Sequence, residues 1–451
     1  MNENNDLTTG SVSRTLIRFA LPFLAACFMQ TFYGMADLFI VGQFNGTATV
    51  SAVSIGSQVM HMLTVIIVGF TMGSTVRIAR AVGSKEEKTA AQTVGTTVCF
   101  FIGFAIVLTL ILVFLTRQIT TVMLTPEEAV EETVLYLKIC FAGIPFITAY
   151  NVISSIFRGA GDSKHPMYFV AVACVSNIIL DYVFIGALHL GAGGAAMGTV
   201  CGQAIGSILA ILLIPRQDFG FSIHRKDIRL HSELLQDILK VGTPIALQDG
   251  LIQVSFIIIT IIANSRGLIA STSVGIVEKL ISFMFLVPSA LLSAISAVTA
   301  QNIGAGKLER AKRSLFCGIA ITVTYGFLCA LYNQFLPHTL VGLFTKDAAV
   351  LAAGCAYMRS YSVDVMFAGI HFCFSGFFCG DQKSIISFVH NITSILLIRI
   401  PGAYLASLWF PDSLYPMGWA APLGSVLSSV ICIAFYYYFY CRKQPKTIHL
   451  E

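Results

Sequence analysis

Asp37, Asn177, Asp181 and Thr199 are residues whose types and placing could do chemistry, because each sits in an otherwise apolar run. An unpaired charge in such a run is costly, so a carboxylate there is expected to face protein or water and to carry function. Asn177 and Asp181 are four apart and share one helical face. Two carboxylates, an amide and a hydroxyl make an oxygen-rich set. It could hold a small hard cation such as Na+ or, with carboxylates crowded together, a proton. The same four residues could instead form a structural hydrogen-bond network, and Asp37 alone could anchor a helix end at an interface.

A second group lies further along. Gln248, Asp249 and Gln253 fall in one apolar run and Asp364 in another. Asp249 and Asp364 are candidates for facing a central cavity and attracting a cationic substrate. Each could alternatively form an ion pair with Arg359 or Lys279. Glu278 and Lys279 are adjacent and could neutralise each other locally or reach different surfaces. His61 reads as a buried polar partner.

The elements that position these residues follow from composition. The chain of 451 residues is 56% hydrophobic and 11% charged, with mean hydropathy +0.80. A soluble domain carries about twice that share of charge, so this is a polytopic membrane protein, and helices are its default element. Apolar runs predict twelve spans, at 16–42, 51–76, 91–115, 133–157, 166–188, 194–215, 236–263, 274–299, 314–336, 350–378, 386–409 and 418–440. With both termini cytoplasmic, 21 Lys and Arg fall on the inner side, Arg216, Lys443 and Lys446 among them, and three on the outer. The positive-inside rule is thus met loop by loop. The net charge of +5 is topological and calls for no nucleic acid. The 12 Cys are scattered singly, so no disulfide frame or zinc site is expected. Both ends are short and polar and read as tails, and no nucleotide-binding loop or soluble module is visible.

The longest cytoplasmic connection, 216–235, lies at mid-chain and divides two copies of one pattern. LPF at Pro22 answers TPI at Pro244, RAVGSKEEKTA answers QNIGAGKLERA, GAGDSK answers FCGDQK, and GGAAMGTV answers GWAAPLGSV. The pairs are offset by 219–225 residues and keep their order. An all-α chain is expected, with an N-lobe at 1–215, a linker at 216–235 and a C-lobe at 236–451. Six spans per half make these parallel repeats, which suits alternating access through a cavity between two lobes. At about 1.5 Å per residue, Asp37, Asp181 and Thr199 reach nearly one depth in the outer part of the N-lobe, with Asn177 about a turn deeper. Gly198, Gly202 and Gly206, four apart, would let span 6 pack closely against a neighbour.

With these features together, the chain resembles the multidrug and toxic compound extrusion family. The resemblance rests on PFLAACFMQTFYGMADLFIVGQFNG, MGSTVRIARAVGSKEEKTA, IFRGAGDSKHP, QNIGAGKLERAKR and GFFCGDQKS, in that order over nearly the whole chain. It implies a V-shaped exporter that is not an enzyme and works without a cofactor. Such an exporter is driven by Na+ or H+, and the family's N-lobe cation site matches Asp37, Asn177, Asp181 and Thr199. Family acids of spans 7 and 10 fall here at Ile252 and Ala368, which points away from a C-lobe cation site in that register. The expected function is antiport of organic, cationic or amphipathic compounds from a prokaryotic plasma membrane by a monomer contacting lipid. A flippase for a lipid-linked precursor or amphipathic metabolite on the same fold is the alternative.

Overall fold

The computed structural model describes residues 6–217 and 219–442, without the side chain of Arg216. Lys443 and Lys446 of the charge count, and that Arg216 side chain, lie outside the described residues. Among the described residues there are helices and no strand. Ten helices are long and apolar enough to cross a membrane, and two bent pairs bring the number to twelve. Each predicted span has its helix.

The repeat is visible helix by helix. Spans 1 and 7 (Val12–Phe44 and Ser232–Asn264) are both 33 residues long. Spans 2 and 8 (Thr47–Gly83 and Leu268–Gly304) are both 37, and spans 3 and 9 (Glu87–Phe114 and Leu308–Phe335) both 28. Span 4 is bent by 46° between Glu127–Ala142 and Ile144–Gly159; span 10 is bent by 41° between Ala348–Tyr361 and Asp364–Gly380. Proline accounts for the first bend, since Pro145 opens the second helix of the pair and cannot donate to the turn before it. The remaining spans are 5 (Lys164–Ala187), 6 (Gly191–Leu213), 11 (Ser384–Trp409) and 12 (Tyr415–Cys441).

Turn geometry repeats as well. Lys85 and Gly306 occupy left-handed backbone at φ 60° and 72°, and Gly161 and Gln382 do so at 91° and 60°. Both pairs are 221 residues apart. The second pair moves the GAGDSK and FCGDQK echo by two residues: the matching letters are Gly-Asp, whereas the matching turns set Gly161 against Gln382.

Contacts divide the chain into two compact units, and the division does not fall in 216–235. One unit is Met1–Ala246 with Ala297–Ala311; the other is Leu247–Ser296 with Lys312–Glu451. Spans 7 and 8 therefore each belong partly to both. In the first unit a Cβ on Gly73 would lie 2.0 Å from the Ile238 carbonyl oxygen, and one on Gly83 would lie 2.0 Å from that of Gln301. Only a residue without a side chain permits these backbone approaches. The 216–235 segment also packs here. Phe219 is buried edge-on to Phe157 at 5.0 Å between ring centres, and the Thr96 hydroxyl donates to the Arg229 carbonyl at 3.2 Å.

The described start of the chain is docked, contrary to a free tail. Leu7 is buried, its N–H donates to Gln301 Oε1 at 3.2 Å, and its carbonyl accepts from Asn302 Nδ2 at 3.0 Å. A single leucine in a polar segment was the available signal.

Candidate functional site

In the first unit, spans 1, 5 and 6 pack on one another, and Asp37, Asn177 and Asp181 come together. Asp37 (3% exposed), Asn177 (2%) and Asp181 (0%) are buried, which for carboxylates in a helical bundle demands a specific compensation. The Asp37 and Asp181 carboxyl groups are near enough to interact directly, and Asn177 lies beside Asp181. Span 6 makes the room. A Cβ on Gly198 would stand 1.9 Å from Asp181 Oδ1, and one on Gly202 would stand 3.0 Å from the Asn177 Cβ. The glycine stripe thus does more than bring two helices together: it leaves space for the carboxylate. Thr199 follows Gly198 directly and is half-buried.

The polar atoms of this cluster lack partners. Asp37 Oδ1, both Asp181 oxygens, both amide atoms of Asn177, Thr199 Oγ1 and Gln203 Oε1 are buried without a hydrogen bond among the described residues. Native interiors pair more than nine in ten such groups, so a cluster of this kind has the donor set of a site for a proton or a small oxygen-seeking cation. Two carboxylates with amide and hydroxyl oxygens fit a monovalent hard ion. Among the described residues no group of three or more His, Cys, Asp or Glu could hold a metal ion.

Sequence reasoning missed Gln203 and Tyr33. Each stands one turn from a residue it singled out, Gln203 after Thr199 and Tyr33 before Asp37, and the two side chains lie against each other. Tyr136 and Cys140 of span 4 also face Asp37, and Tyr136 is held through its hydroxyl to Ser57 at 3.0 Å. Span 5 changes its winding at the site: it is α-helical through Asp181 and π-helical over Tyr182–Ala187. Single π turns recur at functional positions because they re-aim side chains and loosen the ladder.

The second group is distributed differently. Gln248 is buried and its Nε2 reaches Asp249 Oδ1 at 3.5 Å; Asp249 also neighbours Cys379. Gln253 is half-buried on the same helix. Asp364 is fully buried and accepts from Arg399 at 3.0 Å, so its ion pair is with Arg399 and not with Arg359 or Lys279. Arg359 and Lys279 are exposed, and so is His61, against its expected burial.

A helical membrane protein of two six-span repeats, with an oxygen-lined cluster buried in the first, has an architecture common among membrane transporters. The particular family follows from comparison. The MatE family model matches twice, over residues 22–183 and 244–405, and the chain belongs to that family. The two matches start 222 residues apart, within the offsets of the internal repeat. The chain is similar to "Probable multidrug resistance protein YpnP" of Bacillus subtilis, 27% identical over 99% of both chains. It is 24% identical to "Multidrug export protein MepA" of Staphylococcus saprophyticus over 81% of each. Solved structures of a MATE protein in complex with MaL6 and of a MOP superfamily transporter from Pyrococcus furiosus superpose at TM-score 0.90. Both are 20% identical and cover 96% of this chain and 98% and 97% of their own, which shows the shared fold.

Proposed function

We propose that this chain exports organic, cationic or amphipathic compounds across a prokaryotic plasma membrane by antiport against Na+ or H+. The coupling site is Asp37, Asn177, Asp181 and Thr199, with Gln203 as a further oxygen donor. The observation that carries this reading is that buried polar atoms without partners on Asp37, Asn177, Asp181, Thr199 and Gln203 fall on three mutually packed spans of the first repeat. An ion reaching them from outside satisfies the carboxylates in one arrangement of the helices and is released in another, and a ligand shifts a conformational balance only by such a difference in affinity. Drug export is supported by the multidrug resistance and export relatives. Gln248, Asp249 and Gln253 are then the candidates for cationic substrate, while Asp364 is committed to Arg399. The protein acts as a monomer, with both termini cytoplasmic.

Efflux of a fluorescent organic cation from proteoliposomes, with Na+ and pH gradients imposed separately, tests this. Expected is transport under one imposed gradient and its loss in both D37N and D181N. Full activity of both variants would sink the coupling role, and transport without either gradient would sink antiport.

A further inference from the structure

We propose that an anionic phospholipid binds in a groove between spans 3 and 4 of the first repeat, its phosphodiester held by Lys138 and Arg117. Lys138 lies on the face of span 4 that meets lipid. Glu131, Leu135, Lys138 and Ala142 form one helical stripe and are all exposed, whereas Val134, Tyr136, Leu137 and Phe141 between them are buried. Lys138 stands about 12 Å along the helix Val130–Ala142 from its start, well below the end of the span. Its ammonium has no hydrogen bond or ion pair among the described residues. A cation so placed is costly unless it reaches a polar layer or an anion.

The groove supplies the setting for that anion. It encloses about 690 Å³ beside Lys138. The short helix Thr116–Val122, which follows span 3, brings Arg117 and Gln118 to it as further donors. Thr109 also lines it, with a hydroxyl buried without a partner among the described residues. Leu110, Val113 and Phe114 are exposed along the same groove and offer an apolar bed for an acyl chain. Among the described residues no acid lines it. Glu131 borders it by pairing with Arg117 at 3.0 Å, and a pair this exposed holds weakly. Two cations and one bordering acid leave a single positive charge in excess, the complement of a phosphodiester whose headgroup brings no amine. The second repeat keeps the placement: His338 and Arg359, each 221 residues further on, are both exposed. The short helix Pro337–Val341 there echoes Thr116–Val122. Packing does not require an exposed charge, so its recurrence at one helix position points to a demand set by the membrane.

On the topology proposed above the groove opens to the outer leaflet, but binding itself needs neither that orientation nor transport. Native mass spectrometry of the full chain in detergent, titrated with phosphatidylglycerol or phosphatidylethanolamine, therefore tests it separately. An R359Q background removes the echoed cation so that the first-repeat groove alone is read. Expected is preferential retention of phosphatidylglycerol, weakened about fivefold by K138Q and less by R117Q. E131Q should strengthen it, because Arg117 is then released to the phosphate. K346Q removes an outer cation away from the groove and should change nothing. Inorganic phosphate at equal ionic strength should leave the lipid in place. Equal retention of the two lipids, or full retention in K138Q, would mean an unselective lipid coat and overturn the proposal. Loss of the lipid to inorganic phosphate would also overturn it, in favour of a soluble anion. Lys138 has no protein partner to lose, so K138Q decides the matter in a folded chain.

Discussion

The two repeats share helix lengths, bends and turn geometry, yet they place residues of opposite charge beside the same glycine. In the GGAAMGTV segment a Cβ on Gly198 would strike the Asp181 carboxylate; in the echoing GWAAPLGSV segment a Cβ on Gly424 would stand 3.1 Å from the Arg399 Cγ. Where span 1 carries Asp37, the corresponding part of span 7 reads Ile257, Ile258 and Ile259. The first repeat thus gathers acids without a cation, and the second closes an acid onto a cation. Backbone symmetry is kept by packing, which tolerates any side chain that fits the notch. The difference in charge separates a cluster of acids with no paired cation among the described residues from one that holds an ion pair.

The largest test of that contrast removes the charged residue beside each glycine. R399M leaves Asp364 buried at 0% exposure without its cation, which should cost about 3–5 kcal/mol. D181N removes a charge that has no cation beside it, and the folded protein should lose nothing or gain slightly. Thermal unfolding of both variants in detergent reads the difference. If D181N destabilises as much as R399M, the first cluster is a structural network and the comparison fails.

A smaller effect comes from the notch itself. G198A forces a methyl group to within 1.9 Å of Asp181 Oδ1, whereas G424A meets Ser394 Oγ at 2.7 Å and the movable Arg399 stem at 3.1 Å. Overpacking costs about 1–3 kcal/mol, and G198A should fall at the upper end and G424A at the lower. G198A should also weaken ion dependence of transport, because the carboxylate must turn away. Equal effects on ion dependence would show that Asp181 does not need its place beside span 6.

Much of this is legible in the sequence. Hydropathy and charge located all twelve spans because the bilayer imposes a length and a sign on each segment. Depth along a helix is countable, and so Asp37, Asn177, Asp181 and Thr199 could be set at neighbouring levels. Rotation about a helix axis relative to its neighbours is not countable. Arg399 was therefore not matched to Asp364, and Tyr33 and Gln203 escaped notice though each is one turn from a chosen residue. His61 was misread for the same reason, since a lone imidazole in an apolar run says nothing of the side it faces. The π turn after Asp181 leaves no mark in residue type at all. The boundary between compact units inside spans 7 and 8 is equally silent, because hydrophobic helices carry no sign of which neighbour they pack on.

The smallest predicted effect separates function from structure most sharply. Thr199 and Ser425 are echoed hydroxyls, one residue after Gly198 and Gly424 respectively. Thr199 Oγ1 is buried without a partner among the described residues, whereas Ser425 stands beside Asp364. T199V keeps the shape and deletes only an unsatisfied hydroxyl, so thermal stability should be unchanged or slightly higher. Affinity for the coupling ion should fall about tenfold, equivalent to about 1.4 kcal/mol for one lost oxygen. S425A should do the reverse, costing about 1 kcal/mol of stability through loss of the hydroxyl beside Asp364 and leaving ion affinity of the first repeat alone. Ion titration of transport and a melting curve on both variants settle the matter together. Loss of stability in T199V with unaltered ion affinity would make that hydroxyl a structural partner, and the oxygen-rich cluster would then contain one ligand fewer.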